Sequence, residues 1–343
     1  KFVKLFTVTL LIVSIFASLA VSSSALPIND DMTDSYNYSY FGTQLSAPEA
    51  YRTAEVLNYA DLGLGSDFAP VDLLVKGDYL YVVDAGNNQI VILDKQYQVV
   101  ATVSDLRNSE EYEIPDVIRT VINEAGEEVA DSAMLAANRY QFNSPQGIFD
   151  DAGLIYVADT GNRRIVVCNT DGEVFNVVQG VEVSVLGDTY IFQPTKIIVD
   201  AAGGINVLAT GVNRGIMVFD DDGTFRQFTG APNVSVNAVE WFWRLLATEE
   251  QKANMTRYVP TEYSNITVDA RGFTYATIGT LDYTAYQAAA YTTDSTSDSG
   301  SPVKRLSGSG VDMLRRTGRF AIVGDIYYVG NSSPRVVDVC VTD

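Results

Sequence analysis

Short apolar runs recur with constant spacing through the middle of the chain. Three segments, 68–94, 142–172 and 192–223, each begin with Phe, carry Pro two or three residues later, and contain two apolar runs around a turn with Gly. The spacing from that Pro to the turn Gly is 16, 16 and 17 residues. Runs rich in β-branched and aromatic residues that end at Gly and Asp are typical of strands. The pattern therefore predicts repeated β-sheet units.

Weaker copies of the same unit follow the first three. One extends from Tyr258 to Tyr275, another begins near Phe320, and the run Val336–Val341 is strand-like. Each copy is interpreted as a four-stranded antiparallel meander whose turns fall at Gly and Asp. Because such a sheet is apolar on both faces, it needs a neighbouring sheet on each side, and a radial arrangement provides both. The chain is thus predicted to be all-β, a β-propeller of four-stranded blades.

The second copy resembles the NHL repeat. The resemblance is carried by Pro145-Gln146-Gly147-Ile148 and by the run from Ile155 to Val167, and it recurs clearly at 68–94 and loosely at 192–223. It implies a propeller with six blades when complete, of which this chain is a truncated form. NHL propellers include RNA-binding modules, lyases, scaffolds and secreted proteins of unknown activity, so the resemblance implies a fold and no single function.

The amino terminus is typical of a secretory signal peptide. Lys1 and Lys4 precede the apolar run Leu5–Val21, and small residues lead to Ala25, where cleavage is expected. A cut after Ala20 and an uncleaved membrane anchor are the alternatives. Export follows, to the medium or the exterior of the cell envelope. The predicted domains are a signal peptide at 1–25, a flexible lead-in at 26–45 and a propeller at 46–343 that is truncated at its C-terminus.

Two insertions interrupt the repeats, at about 107–141 and 236–257. Helices are predicted over 115–122 and 131–140 in the first. In the second, the apolar residues around Trp243 follow helical spacing and favour a helical cap over the propeller. Trp241 points elsewhere on that helix and is a candidate for ligand binding.

The charge of the chain argues against nucleic acid and anionic lipid as partners. The formal net charge is −20, which repels phosphate groups. Two basic pairs, Lys304-Arg305 and Arg315-Arg316, are expected to be solvated strand ends. No nucleic-acid partner and no membrane insertion apart from the signal peptide are predicted.

The chain contains no histidine, which removes several kinds of active site. A histidine-bound zinc ion, which the resemblance would imply for a lyase of the amidating type, is excluded, and so is a Ser/His hydrolase. The two cysteines, Cys168 and Cys340, lack the spacing of a metal or redox motif. Two buried free thiols are favoured over a disulfide between them.

A metal-dependent hydrolase similar to gluconolactonases remains an alternative. Its metal would be Ca²⁺, held by carboxylate and amide oxygens in the central channel. The candidate ligands are Asp84, Asp159 and Glu262. The two Asp residues occupy equivalent repeat positions, where the favoured role is to fix the turn that follows. No cofactor is expected in the leading interpretation.

The leading hypothesis is a monomeric, non-enzymatic binding or scaffold propeller that engages a protein, peptide or glycan. The turns after the second strand of each copy should cluster on one face of the disc and form the contact surface. The candidate residues are Asn87, Asn88, Asn162, Arg163, Asn213, Arg214 and Trp241.

Overall fold

A computed structural model describes residues 36–38, 44–46, 55–123, 125–134, 136–179, 186–187, 189–231, 262–279, 303–314 and 339, with backbone alone for the first two ranges. The chain divides into two compact units, Lys1–Val56 and Leu57–Asp343. In the first unit, β1 (Tyr36–Tyr38) and β2 (Gln44–Ser46) form an antiparallel hairpin. Residues 1–35, which include the predicted signal peptide, lie outside the described residues.

The second unit contains four antiparallel sheets in chain order, which are the blades of a β-propeller. Blade 1 consists of β3 (Pro70–Lys76), β4 (Tyr79–Asp84), β5 (Gln89–Leu93) and β6 (Val99–Val103). An insertion with β7 (Arg107–Asn108), β8 (Thr120–Ile122) and β9 (Glu128–Ala130) follows. Blade 2 consists of β10 (Gly147–Asp151), β11 (Leu154–Asp159), β12 (Arg164–Cys168) and β13 (Glu173–Gln179). Blade 3 consists of β14 (Pro194–Val199), β15 (Ile205–Ala209), β16 (Ile216–Phe219) and β17 (Phe225–Thr229). Blade 4 has three described strands, β18 (Tyr263–Val268), β19 (Thr274–Ile278) and β20 (Val303–Leu306).

The predicted propeller of all-β blades is therefore confirmed, with four blades in the described residues; the count of six stays a prediction. The helices predicted in the first insertion are wrong. Residues 115–119 form no helix and lead into β8, and β7 adds in parallel to the outer strand of blade 2. A single 3₁₀ turn at Ser132–Met134 stands where the second helix is predicted. Tertiary contacts replace a helix here: Ile114 is buried in the layer between blades 1 and 2, and Val117 is buried as well.

The second insertion, 236–257, lies outside the described residues, as do Trp241 and Trp243. Within the part of the chain that is described, no helix is long and apolar enough to cross a membrane.

Successive blades pack face to face through apolar side chains. We call the face that meets the preceding blade the leading face and the opposite one the trailing face. Between blades 1 and 2, Tyr81, Val83 and Ile90 of the trailing face meet Ile155 and Val157 of the leading face. Equivalent clusters lie between blades 2 and 3 and between blades 3 and 4. The core is therefore a series of layers between sheets.

Blade packing buries Cys168, as the favoured interpretation expects, and also Lys304, for which the expectation is wrong. Cys168 is a free thiol with no exposed surface, and burial raises its pKa to about 12. Cys340 lies outside the described residues. Lys304, expected at a solvated strand end, is buried within β20. Because Lys304 is paired with Ala276 on the leading face of blade 4, it lies toward blade 3 rather than toward water.

The predicted turn glycines lie at matching positions, between the second and third strands of blades 1, 2 and 3. A Cβ atom on Gly86 would lie 1.7 Å from the carbonyl oxygen of Asp67, and one on Gly161 would lie 2.5 Å from that of Asn143. A Cβ atom on Gly211 would meet only Cε2 of Tyr190, at 4.0 Å, so this position instead requires glycine for its positive φ of 78°. Gly is therefore needed at these turns for two different reasons.

A second set of glycines marks the contact between blades. Gly172, Gly223 and Gly310 occupy the outer turn, after the third strand of blades 2, 3 and 4, and all have positive φ. A Cβ atom at these positions would lie 2.3 Å, 2.8 Å and 2.3 Å from atoms at the end of the preceding blade's outer strand. The contacted atoms are Asp105 O, Val178 Cγ2 and Thr229 Oγ1. Each outer strand thus ends against the glycine of the next blade.

Charged side chains tie the blades together at the axis, where the first strands β3, β10, β14 and β18 contact one another in that order. Asp72 of blade 1 accepts a hydrogen bond from the backbone N–H of Ile148 in blade 2, at 3.0 Å. Its other oxygen lies 2.5 Å from Nζ of Lys196 in blade 3. Burial raises the pKa of Asp72, and Lys196 opposes that shift. One carboxylate therefore joins three blades.

We expect Gly172→Ala to lower the free energy of unfolding much more than Gly153→Ala. Both residues have positive φ, which costs an alanine about 1–2 kcal/mol, but a Cβ at Gly153 meets no atom within 4 Å. At Gly172 the outer strand of blade 1 must also shift, which adds roughly 1–3 kcal/mol. Urea unfolding of the two variants measures the difference. Equal losses would show that this glycine does not set the blade contact.

Candidate functional site

The turns between second and third strands lie at one edge of the propeller. Each blade is an up-and-down meander, so these turns share an edge with the connections that enter the first strands. We call this the upper edge; it includes the turns 85–88, 160–163 and 210–215 and the connecting residues 138–146 and 189–193. The first insertion re-enters the propeller at this edge, through residues 138–146. The predicted clustering of turns is therefore present in blades 1 to 3.

Three of the predicted contact residues are exposed at the upper edge. Asn88 of blade 1 and Asn213 and Arg214 of blade 3 have exposed side chains. Oδ1 of Asn88 accepts a hydrogen bond from the backbone N–H of Ser144, at 2.6 Å, which joins the turn of blade 1 to the connection that enters blade 2.

The other predicted residues serve the turns themselves. Asn87 is half-buried and Asn162 is buried, and each donates its side-chain amide to an Asp three residues earlier. Arg163, at the position equivalent to Asn88, is half-buried and forms an ion pair with Asp131 of the insertion. Asn162 and Arg163 therefore hold structure together rather than present a free surface. No described contact involves Trp241, which lies outside the described residues.

The turn of blade 1 is built around the carboxylate of Asp84, which is fully buried. It accepts hydrogen bonds from the backbone N–H groups of Ala69 and Asn87 and from the side-chain amides of Asn87 and Gln89, at 2.7–3.2 Å. Burial acts to raise the pKa of Asp84, but these four donors outweigh it and hold the pKa below its usual value. The carboxylate fixes both the turn and the strand entry beside it.

In blade 2 the equivalent turn is built around the carboxylate of Asp159, and one of its hydrogen-bond donors is the charged guanidinium of Arg164. Asp159 is fully buried and accepts hydrogen bonds from Asn143 N, Asn162 Nδ2 and Nε of Arg164, the last at 2.8 Å. Arg164 also has no exposed surface, and its Nη2 donates to the carbonyl oxygens of Arg139 and Gln141 at 3.1 and 3.0 Å. Burial acts to raise the pKa of Asp159 and the guanidinium opposes it. The pair thereby anchors the end of the first insertion to blade 2.

These contacts bear on the calcium alternative. The oxygens of Asp84 and Asp159 already accept the donors of their own turns, and the two residues belong to different blades. Glu262 is exposed at the start of blade 4. In the described ranges, no group of three or more acidic or cysteine side chains is arranged to hold a metal ion. Both Asp residues therefore fix the turns that follow them, as expected.

Sequence reasoning missed two apolar side chains on the upper edge. Tyr140 is exposed beside the guanidinium of Arg139, which lies 4.9 Å from the ring centroid, and Ile191 is exposed in the connection that enters blade 3. Both belong to connections rather than to the repeat, so the repeat pattern carries no signal for them. The only sequence signal that these two residues lie at the upper edge is their position before the first strand of a blade.

Comparisons with known proteins assign no family to the chain. No family model matches the chain, and no curated protein matches it. Among solved structures, it is similar to Kuenenia stuttgartiensis hydrazine synthase, with 10% identity and a TM-score of 0.36 over 67% of this chain and 46% of that one. It is similar to virginiamycin B lyase from Staphylococcus aureus, with 13% identity and a TM-score of 0.31 over 64% and 68%.

A chain of a nidogen/laminin complex is also similar, with 18% identity and a TM-score of 0.33 over 62% of this chain and 58% of that one. The present chain thus spans about half the length of the hydrazine synthase chain. At these identities and TM-scores, the similarities carry no argument about function. The propeller assignment rests on the sheets described above.

We expect loss of the buried guanidinium to destabilise the protein strongly. Arg164→Met leaves the carboxylate of Asp159 buried without its charged partner, which costs about 3–5 kcal/mol. Arg226→Met is the matched control, because its ion pair with Asp220 is largely exposed and such pairs contribute at most about 1 kcal/mol. Chemical denaturation measures both. A small effect at Arg164 would contradict its anchoring role.

Asp84→Asn is expected to lower the free energy of unfolding by roughly 2 kcal/mol at pH 7, because the charged acceptor of four donors is lost. The pKa of Asp84 is depressed in the folded state, so its contribution is present above the unfolded pKa of about 3.9 and is lost as pH falls through the folded value. The difference between wild type and variant should therefore be constant at neutral pH and shrink in acid. Unfolding curves across this range test it; a difference that grows in acid would reverse the assigned sign.

Proposed function

We propose that this protein is an exported, non-enzymatic binding or scaffold propeller that engages a protein, peptide or glycan through its upper edge. The observation that carries the proposal is the display of Asn88, Asn213 and Arg214 on one edge by turns of blades 1 and 3. The turn that carries Asn88 is held by the buried carboxylate of Asp84, and Asn88 itself is bonded to the connection that enters blade 2. Polar side chains on a rigid support lose little conformational freedom when a ligand binds.

The chemistry of this edge supports recognition of a ligand with both polar and apolar groups. Tyr140 and Ile191 add exposed apolar surface, and Arg139 and Arg214 add positive charge against a strongly acidic chain. Tyr and Arg are enriched where proteins bind partners, because each combines contact area with hydrogen-bond donors. The edge therefore offers anchors for direct binding.

Export is supported by the pattern of residues 1–25, in which two lysines precede a long apolar run and small residues. A protein placed outside the cytoplasm meets peptides and glycans of the cell envelope and the medium. We propose a monomer, because a disc with one binding edge needs no second copy to form its site.

Charge reversal at the upper edge should weaken binding where reversal at the opposite edge does not. Ligands are first identified by exposing the immobilised protein to a glycan array and to separated envelope and medium proteins. Arg214→Glu is then expected to weaken binding about tenfold, the effect of losing one good interface contact. Lys95→Glu is the control, since Lys95 is exposed in the outer turn of blade 1, away from that edge. Equal loss in both variants, or no ligand among the sources tested, would count against the proposal.

A further inference from the structure

The leading face of blade 1 differs from that of every other blade in how much of it is covered. The cross-strand register identifies equivalent positions in the first strands of the four blades: Leu73, Ile148, Ile197 and Ile266. The last three are 3–5% exposed and contact the preceding blade, whereas Leu73 is 62% exposed. The residue two positions later shows the same contrast: Val199 is 6% exposed and Val75 is 73% exposed.

Among the residues that the structure describes, those near this face cover only its outer half. Leu62, Leu64 and Phe68, which precede blade 1, pack on Val82 and Val91 in its middle strands. The inner half is a strip of apolar side chains, Val71, Leu73 and Val75, that faces solvent. Because the residues equivalent to Leu73 are buried in blades 2 to 4, the strip has the chemistry of a blade contact, and the described residues provide no second sheet against it.

The outer turn of blade 1 limits what can cover the strip. Blades 2, 3 and 4 place glycine at this turn, where the preceding outer strand ends against it. Blade 1 places Tyr97 there, with the same turn hydrogen bond and a positive φ of 59°. A side chain at that station would collide with an outer strand packed as in the other blades. The covering sheet must therefore reach the inner strands and stop short of Tyr97.

A segment of the same chain has the sequence for such a sheet. In blade 1, Gly77-Asp78 separates the apolar runs of β3 and β4, and Gly324-Asp325 separates two similar runs, 320–323 and 326–329. A third run follows at 336–341. Three such runs correspond in number and order to the three inner strands of a blade.

We propose that the strip formed by Val71, Leu73 and Val75 is the docking surface for the segment 320–341 of the same chain. The contact would be a sheet-to-sheet layer of the kind seen between the other blades, restricted to the inner strands. It would bury an apolar strip whose exposure is otherwise unfavourable. The inference is independent of the proposed ligand at the upper edge.

Cysteine labelling of the full chain in its native state tests the proposal. In a Cys340→Ala background, Leu73→Cys and Val75→Cys are each treated with a maleimide; the remaining Cys168 is buried. We expect both variants to react at least about tenfold more slowly than Val100→Cys, an exposed position on the outer strand of blade 1. If the Leu73→Cys and Val75→Cys variants were labelled as fast as the Val100→Cys control, the proposal would be overturned, because the strip would then be open to solvent.

A second substitution identifies the occupant. In the Val75→Cys variant, Ile326→Asp should raise the labelling rate to that of the exposed control, because a charge cannot be buried against the strip. Val311→Asp, at an exposed turn of blade 4, should leave the labelling of the Val75→Cys variant slow. If Cys at position 75 still reacts slowly with the maleimide after Ile326→Asp, in a protein that still unfolds cooperatively, then a different segment covers the strip and the proposal is overturned. Protection that appears only at high protein concentration, with a doubled mass in light scattering, would assign the strip to a second copy and also overturn it.

Discussion

The requirement that each sheet be covered on both faces governs this structure. The strands of blades 1 to 3 are apolar on both sides, so a blade alone would expose the valine, isoleucine and leucine side chains of both faces. Each such side chain contributes about 1.5–3 kcal/mol when it is removed from water. Radial stacking removes one face of every blade against the next, and the clusters between blades 1 and 2, 2 and 3, and 3 and 4 are the result. The position of the upper edge, and of everything displayed on it, depends on that stacking.

The buried polar groups have a different task from the apolar layers. Apolar packing fixes how sheets lie against one another but is tolerant of small shifts, whereas hydrogen bonds are directional. Asp84 and Asp159 receive donors from their own turns and from the strand entry beside them, so each fixes a turn relative to its blade. Arg164 extends this control to the first insertion. The surface of the upper edge is thereby defined by groups that have no exposure themselves.

Much of the fold could be predicted because each repeat contains the apolar runs and turn residues that specify its own strands. The apolar runs at 81–83, 155–158 and 205–208 fall inside β4, β11 and β15, and the turn glycines lie between second and third strands as expected. The helices predicted for the first insertion failed because tertiary contacts decide the conformation of a segment without a repeat. Its β-branched residues, from Val117 to Ile122, and the proline after Ile114 both disfavour a helix and were the available signal.

The candidate site was less predictable than the fold, for a reason visible in the motif Asn162-Arg163-Arg164. All three residues are polar and would be assigned to a solvent-exposed turn, yet Asn162 and Arg164 are buried because the insertion covers them. Asn88 and Arg214 have no such cover and are exposed. Burial here depends on contacts between residues far apart in sequence, so neither composition nor spacing could separate the two groups. Lys304 in blade 4 shows the same difficulty.

The link from Asp72 to Lys196 has a consequence for how this propeller can change over evolution. Repeat proteins gain and lose units by duplication and deletion, which works when each unit contacts only its neighbours. Here a carboxylate of blade 1 reaches a lysine of blade 3 across the inner strand of blade 2. Duplicating blade 2 would separate the two charges by another sheet and leave both unmatched near the axis. The first three blades are therefore constrained to be inherited together, as one block of fixed order.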